Sequence, residues 1–168
     1  IDALQLFINF YPKSERAGQA AQYIATLRDR LETKAFDNAK LYYDLGGYDI
    51  SYYKSAVVAL KNAQVEFPDI KYAEEMNLLI VKSQYMYAKN SFAIRQEDRF
   101  NEVLAYYNEF IEAYPNSKYA KEANQLKEDS QNGIINAKKI LAEDAAAIAK
   151  YDAFNKKSEK KKDTITNK

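Results

Sequence analysis

The chain has 168 residues, of which 47% are hydrophobic and 29% charged, and its 25 basic and 24 acidic side chains leave a formal net charge of +1. Because the two signs are interspersed, no broad positive field exists to attract nucleic acid. The absence of cysteine and histidine excludes disulfides, thiolate or imidazole metal sites and thiol nucleophiles, and it removes the commonest general base. Four glycines and three prolines are too few for a turn-rich β fold, so the composition favours helices.

The first predicted helix ends at Pro12, whose ring disfavours helical geometry in the preceding Tyr11. Ser14 is predicted to cap the next helix. Apolar residues at helical spacing then run from Ala17 to Leu45, and this pattern fits either one long bent helix or two shorter helices.

Gly46 and Gly47 are predicted to end that segment with positive backbone dihedrals, and Ser51 to cap the third helix. The third helix carries its apolar face up to Phe67 and is stopped by Pro68. A further helix is predicted over residues 70–89.

Residues 90–99 are polar and are predicted to form a connecting loop or a frayed helix end. The following helix stops at Pro115, and Asn116 and Ser117 offer caps for a new start. The alanine-rich stretch that follows buries little area, so residues 139–154 are predicted to form a capping or marginal helix. Residues 155–168 are rich in lysine and almost free of apolar side chains, which predicts a basic disordered tail.

All three prolines follow an aromatic residue and precede an alanine by five positions. The three units are Tyr11-Pro12 with Ala17, Phe67-Pro68 with Ala73, and Tyr114-Pro115 with Ala120. Self-similar units of helix, turn and helix are typical of helical repeat proteins, and a small residue near the turn lets two helices approach. We therefore predict an all-α fold, a right-handed superhelical solenoid of tetratricopeptide-like hairpins over residues 1–138.

The chain has 15 tyrosines, which make good binding anchors where they are exposed. We expect partner binding at four residues that lie off the apolar stripe near the double glycine: Tyr48, Tyr52, Lys54 and Lys61. The lysine-rich residues 156–163 fit either a contact with anionic lipid or an acidic partner, or a solvated tail.

Acidic neighbours such as Glu74 and Glu75 diverge on a helix, and residues 44–49 lack the alternating ligands of a calcium loop. We therefore expect no enzyme activity, no catalytic residue, no cofactor and no bound metal.

The segments YPKSERAGQAA, FPDIKYAEEMN and YPNSKYAKEAN resemble the tetratricopeptide-type repeats of the BamD family, the lipoprotein subunits of the outer-membrane β-barrel assembly machinery. The succession YPKS, LRDRLE, AKLYYDLGGY and EFPD is similar to the C-terminal half of these proteins, in particular those of Bacteroidetes-like bacteria. The resemblance covers roughly residues 1–90, and the repeat around Pro115 is additional to the shorter family members.

The resemblance implies a scaffold at the periplasmic face of the outer membrane that docks the periplasmic domains of a BamA-like barrel insertase and contacts other subunits of the machinery. It also implies that the first repeats and a lipid-bearing cysteine, which would supply membrane association, precede Ile1. Two alternatives stay open: a peptide-binding repeat adaptor in the cytosol or periplasm, and a repeat domain that regulates a larger enzyme.

Overall fold

The computed structural model describes the backbone of residues 1–166 and the side chains of residues 1–154. This part of the chain is all-α, as predicted, and contains no strand. Its helices are α1 (Asp2–Phe10), α2 (Ala17–Leu45), α3 (Ser51–Glu66), α4 (Ala73–Lys89), α5 (Ala93–Ala113) and α6 (Ala120–Thr166).

Each helix packs against the next one in the chain, and α4 also contacts α2 and α6. Within the described residues, the backbones of α3 and α5 do not come close to each other, and the two helices meet through side chains such as Lys61 and Tyr106. The helix α4 lies between two hydrophobic cores: Met76 and Ile80 belong to the core with α2 and α3, whereas Val81 belongs to the core with α5 and α6. This placement of α4 holds α3 and α5 side by side with a gap between them.

The three proline turns have the same backbone geometry. The aromatic residue before each proline is the C-cap of its helix, with φ and ψ of −129° and 56° at Tyr11, −126° and 81° at Phe67, and −133° and 65° at Tyr114. Each of these residues donates its backbone N–H to the carbonyl four positions earlier, at 2.9 Å. The prediction that the prolines end three helices is therefore confirmed.

The alanine five positions after each proline is the first residue of α2, α4 or α6 and is only half-buried. The tightest packing lies one turn later, at Ala20, Met76 and Ala123, which are all buried. The close approach was predicted at the alanine five positions after the proline, whereas the buried small residues are Ala20 and Ala123, one turn later.

Several local predictions were wrong. Residues 93–99 are not a loop, because α5 begins at Ala93 and only residues 90–92 connect it to α4. Among the described residues no glycine has a positive φ, and Gly46 is right-handed at φ −58° and ψ −22°. Ser51 makes no capping hydrogen bond with its side chain; instead, Asp49 Oδ1 accepts the backbone N–H of Ser51 at 2.8 Å.

Residues 17–45 form one continuous helix, which decides between the two alternatives. Residues 139–154 belong to α6 and do not form a separate helix. Every residue from Lys138 to Phe154 is exposed, so this part of α6 contributes little to the core. The predicted tail, residues 155–168, lies outside the residues whose side chains are described and stays a prediction.

Candidate functional site

A groove between α3 and α5 is lined by side chains from three helices. Its walls are α3 and α5, its floor is α4, and it encloses a cavity of about 280 Å³. We call it the α3–α5 groove, and its lining residues are Lys54, Val57, Val58, Gln84, Tyr87, Arg99, Glu102 and Tyr106. The groove exists because α3 and α5 both pack on α4 while their backbones stay apart.

Hydrogen bonds from Gln84 fix the floor of the groove to one wall. The Gln84 side chain is 3% exposed. Its Nε2 donates to Glu102 Oε2 at 2.6 Å and to the Arg99 backbone carbonyl at 3.3 Å. A buried amide needs such partners, so Gln84 sets the position of α5 relative to α4.

Two cations at the groove are held by aromatic rings. The Arg99 guanidinium lies 4.0 Å from the centre of the Tyr87 ring and donates to Ser91 Oγ. The Lys61 ammonium lies 4.1 Å from the centre of the Tyr106 ring, and it thereby connects α3 to α5. Contacts of this kind stabilise by about 0.5–1 kcal/mol at exposed sites, and they fix the direction of both side chains.

Two shallow depressions adjoin the groove. One, of about 400 Å³, shares Lys54 and Val58 with it and reaches Tyr42 on α2. The other, of about 370 Å³, shares Tyr87 and Arg99 with it and reaches Phe92, whose side chain is 87% exposed. The groove is therefore the centre of a longer surface that reaches from Tyr42 to Phe92 and includes the cations Lys54 and Arg99.

The four residues predicted to bind a partner have different environments. Lys54 lines the groove and Lys61 borders it. Tyr48 lies in the loop before α3 and is 89% exposed, whereas Tyr52 is half-buried and stacks on Tyr42 at 6.3 Å between ring centres. Neither tyrosine lines the groove.

Sequence reasoning missed the residues of α4 and α5 in the groove. Arg99 fell in a segment predicted to be a connecting loop or a frayed helix end, and Tyr87 was not among the residues predicted to bind a partner. The sequence did contain a signal for this wall. Arg99 precedes Glu102 by three residues and Tyr106 by seven, so on a helix the three side chains share one face.

The loop that leads into α3 is fixed by Asp49. The backbone N–H and the side chain of Ser51 both bond to this carboxylate, and these hydrogen bonds lower the pKa of Asp49 below its ordinary value. The loop next to Tyr48 is therefore tied to the start of α3 by an ionised carboxylate at neutral pH.

Within the residues that the structure describes, no group of three or more acidic side chains is placed to hold a metal ion. No helix in that part of the chain is long and apolar enough to span a membrane. No protein-family model matches the chain, and no curated protein matches it at a significant level of similarity.

Proposed function

We propose that this chain is a non-enzymatic scaffold of tetratricopeptide-like hairpins that binds another protein through the α3–α5 groove. The observation that carries the proposal is the groove itself, in which side chains from three helices are fixed by hydrogen bonds and aromatic rings before any partner arrives. A preorganised surface loses little conformational entropy on binding, which is what a scaffold requires.

The arrangement of helices supports this proposal. The pairs α1 with α2, α3 with α4, and α5 with α6 are each joined by a proline turn of the same geometry. The second helices of neighbouring pairs contact each other, α2 with α4 and α4 with α6. A right-handed solenoid of stacked hairpins would give these contacts and would leave the first helices, α3 and α5, on a concave face.

The sequence resemblance to the BamD family makes the proposal specific. On this proposal the partner is the periplasmic part of a BamA-like barrel insertase, and the scaffold works with other subunits at the periplasmic face of the outer membrane, where a lipid anchor holds it. The resemblance rests on residues 1–90, which contain the whole α3 wall and the α4 floor of the groove.

The test is a calorimetric titration of the purified chain with the periplasmic domains of the barrel insertase from the same organism. Saturable binding that weakens in Lys54→Gln, but not in Lys121→Gln, is the expected result. Both lysines are exposed, and Lys121 lies on α6 outside the groove, so the two changes remove the same charge. A folded chain that gives no heat of binding overturns this assignment of the partner.

A second candidate is a repeat adaptor that captures short peptides. The cavity of about 280 Å³ favours it, because a cavity of that size accommodates one or two side chains of an extended segment rather than a domain. Binding of isolated peptides without binding of the insertase domains would select this candidate.

A further inference from the structure

We infer that the α3–α5 groove binds an acidic peptide segment, whose carboxylates pair with Lys54 and Arg99 and whose apolar side chain packs against Val58. This inference rests on the proposed protein-binding function and adds the chemistry of the bound segment. It is carried by the charge of the groove and by the way its cations are held.

The cations at the groove form no ion pair within the described residues. Within the described residues, Lys71, Lys82 and Lys138 each have a carboxylate oxygen within 2.8 Å. By contrast, none of the three cations at the groove has a carboxylate within 4 Å in that part of the chain; they are Lys54, Lys61 and Arg99.

The one carboxylate that lines the groove is already engaged. Glu102 accepts the hydrogen bond of the buried Gln84. The lining residues carry two cations and one carboxylate, a charge of +1, and the bordering Lys61 adds a second positive charge. A bound segment that complements this positive charge is therefore acidic.

The cations are oriented for carboxylates. The guanidinium carbon of Arg99 lies 4.0 Å from the centre of the Tyr87 ring, and the N–H groups that do not donate to Ser91 remain for pairing with a carboxylate. Lys54 is exposed and lines both the groove and the adjoining depression toward Tyr42. Arg99 is already held by Tyr87 and Ser91 and so loses little side-chain freedom when a carboxylate arrives, and Lys54 has no ion pair to give up.

The shape of the groove selects a peptide rather than another polyanion. Val57 and Val58 line the same cavity as Lys54 and Arg99, and Val58 is 52% exposed. A peptide offers apolar side chains and carboxylates within one extended segment. A nucleic acid or a lipid surface would need a broad basic face, which the interspersed charges of residues 1–154 do not provide.

The test is a selection of random peptides of about twelve residues, displayed on phage, against the immobilised full chain. We expect the selected peptides to be enriched in aspartate and glutamate about threefold or more over the starting pool. The peptide selected most often is then synthesised, and its affinity is measured by fluorescence anisotropy at low and high salt. We expect affinity to fall as salt screens the charges.

Two variants connect the affinity to the groove. Lys54→Gln is expected to weaken binding about fivefold, and Arg99→Gln by at least as much. Lys54 has no polar partner in the described chain, so its removal tests the groove even if Arg99→Gln disturbs the fold. The matched control is Lys13→Gln, an exposed lysine in the turn after α1.

Each outcome bears on the inference separately from the proposed function. Selection of basic peptides, selection of no peptide, or equal loss of affinity in Lys54→Gln and Lys13→Gln overturns the acidic-segment inference. Displacement of the peptide by single-stranded DNA of equal charge at the same concentration also overturns it. If acidic peptides bind but the insertase domains do not, the groove chemistry stands and the proposed partner falls.

Discussion

The ring of Phe100 lies so close to the backbone of Gly133 that a Cβ at Gly133 would overlap it. Phe100 is 3% exposed and belongs to the core between α4, α5 and α6. Gly133 lies inside α6, where a glycine normally weakens a helix. The close contact therefore explains why the helix carries a glycine at this position, and it fixes the register of α6 against α5.

We predict that Gly133→Ala lowers the free energy of unfolding by about 1–3 kcal/mol, because the buried ring must shift to accept the methyl group. The matched control is Gly18→Ala, near the start of α2, where nothing lies within 4 Å of the added Cβ. That change should raise the stability by about 0.4–1 kcal/mol. Urea denaturation measures both, and a stabilised Gly133→Ala would contradict the packing.

The same comparison is available at the end of α2. A Cβ at Gly46 would overlap the ring of Tyr53, whereas nothing lies within 4 Å of a Cβ at Gly47. Both glycines have negative φ, so backbone strain does not distinguish them. We expect Gly46→Ala to lower the melting temperature and Gly47→Ala to leave it within a degree or two, by differential scanning calorimetry; equal effects would show that Tyr53 can move away.

These glycines show what could be predicted from the sequence and what could not. The prolines act through their own rings on the adjacent backbone, so the ends of α1, α3 and α5 were readable from sequence alone. Gly46 was predicted from the same kind of local reasoning, and that prediction was wrong, because its role depends on a ring seven positions away that only the packing of α3 brings into contact. The effect of a residue on the adjacent backbone can be read from the sequence, whereas a close contact between residues on different helices cannot.

The candidate site was likewise predicted only in part. Lys54 and Lys61 were predicted from their position off the apolar stripe of α3. The opposite wall was missed because the polar residues before Phe100 resemble a loop. In the structure, the buried Gln84 bonds to Glu102 and thereby holds the polar start of α5 in place. A contact between two helices thus holds in place a wall that the local sequence indicated only through the spacing of Arg99, Glu102 and Tyr106.

Tyr53 makes the stability sensitive to alkaline pH. Its burial, and secondly the neighbouring Tyr43 phenol, raise the pKa of Tyr53 above the ordinary value of tyrosine. A raised pKa in the folded state gives a stabilisation that is complete below the unfolded pKa, about 10, and that is lost as pH rises through the folded value. We therefore predict that the wild type loses more stability than Tyr53→Phe above pH ~10.

Melting temperatures measured from neutral to strongly alkaline pH test this prediction. The control is Tyr48→Phe, which removes a phenol that is 89% exposed. The curve of Tyr48→Phe should follow that of the wild type, whereas the curve of Tyr53→Phe should fall less steeply. Three parallel curves would show that Tyr53 does not titrate differently in the folded and unfolded states.

The two predicted tyrosine anchors should differ in their effect on stability. Tyr52 stacks on Tyr42 and joins α3 to α2, and an aromatic pair of this kind contributes about 0.5–1.5 kcal/mol beyond the area that it buries. We expect Tyr52→Ala to lower the free energy of unfolding by at least that amount and Tyr48→Ala to change it by less than about 0.5 kcal/mol. Urea denaturation of both variants checks this, and a comparable loss in Tyr48→Ala would place its ring in the core.

The exposed part of α6 should be dispensable for the stability of the folded body. Lys138 forms a 2.8 Å ion pair with Glu97, and Ala137 is fully buried, but every residue from Lys138 to Phe154 is exposed. A chain that ends after Lys139 keeps both contacts, so we expect its free energy of unfolding to stay within about 0.5 kcal/mol of the full chain. Its helical circular dichroism should fall, because residues 140–154 belong to α6.

A shorter chain that ends after Asn132 is the informative comparison, because it also removes Gly133, Ala137 and the Ile134 side chain that packs on the core with α5. Loss of these buried contacts should cost about 2–5 kcal/mol or abolish the cooperative transition. Should the chain that ends after Lys139 be destabilised as strongly as this one, the exposed length of α6 would have to pack against the body in solution. The core would then extend beyond Ala137.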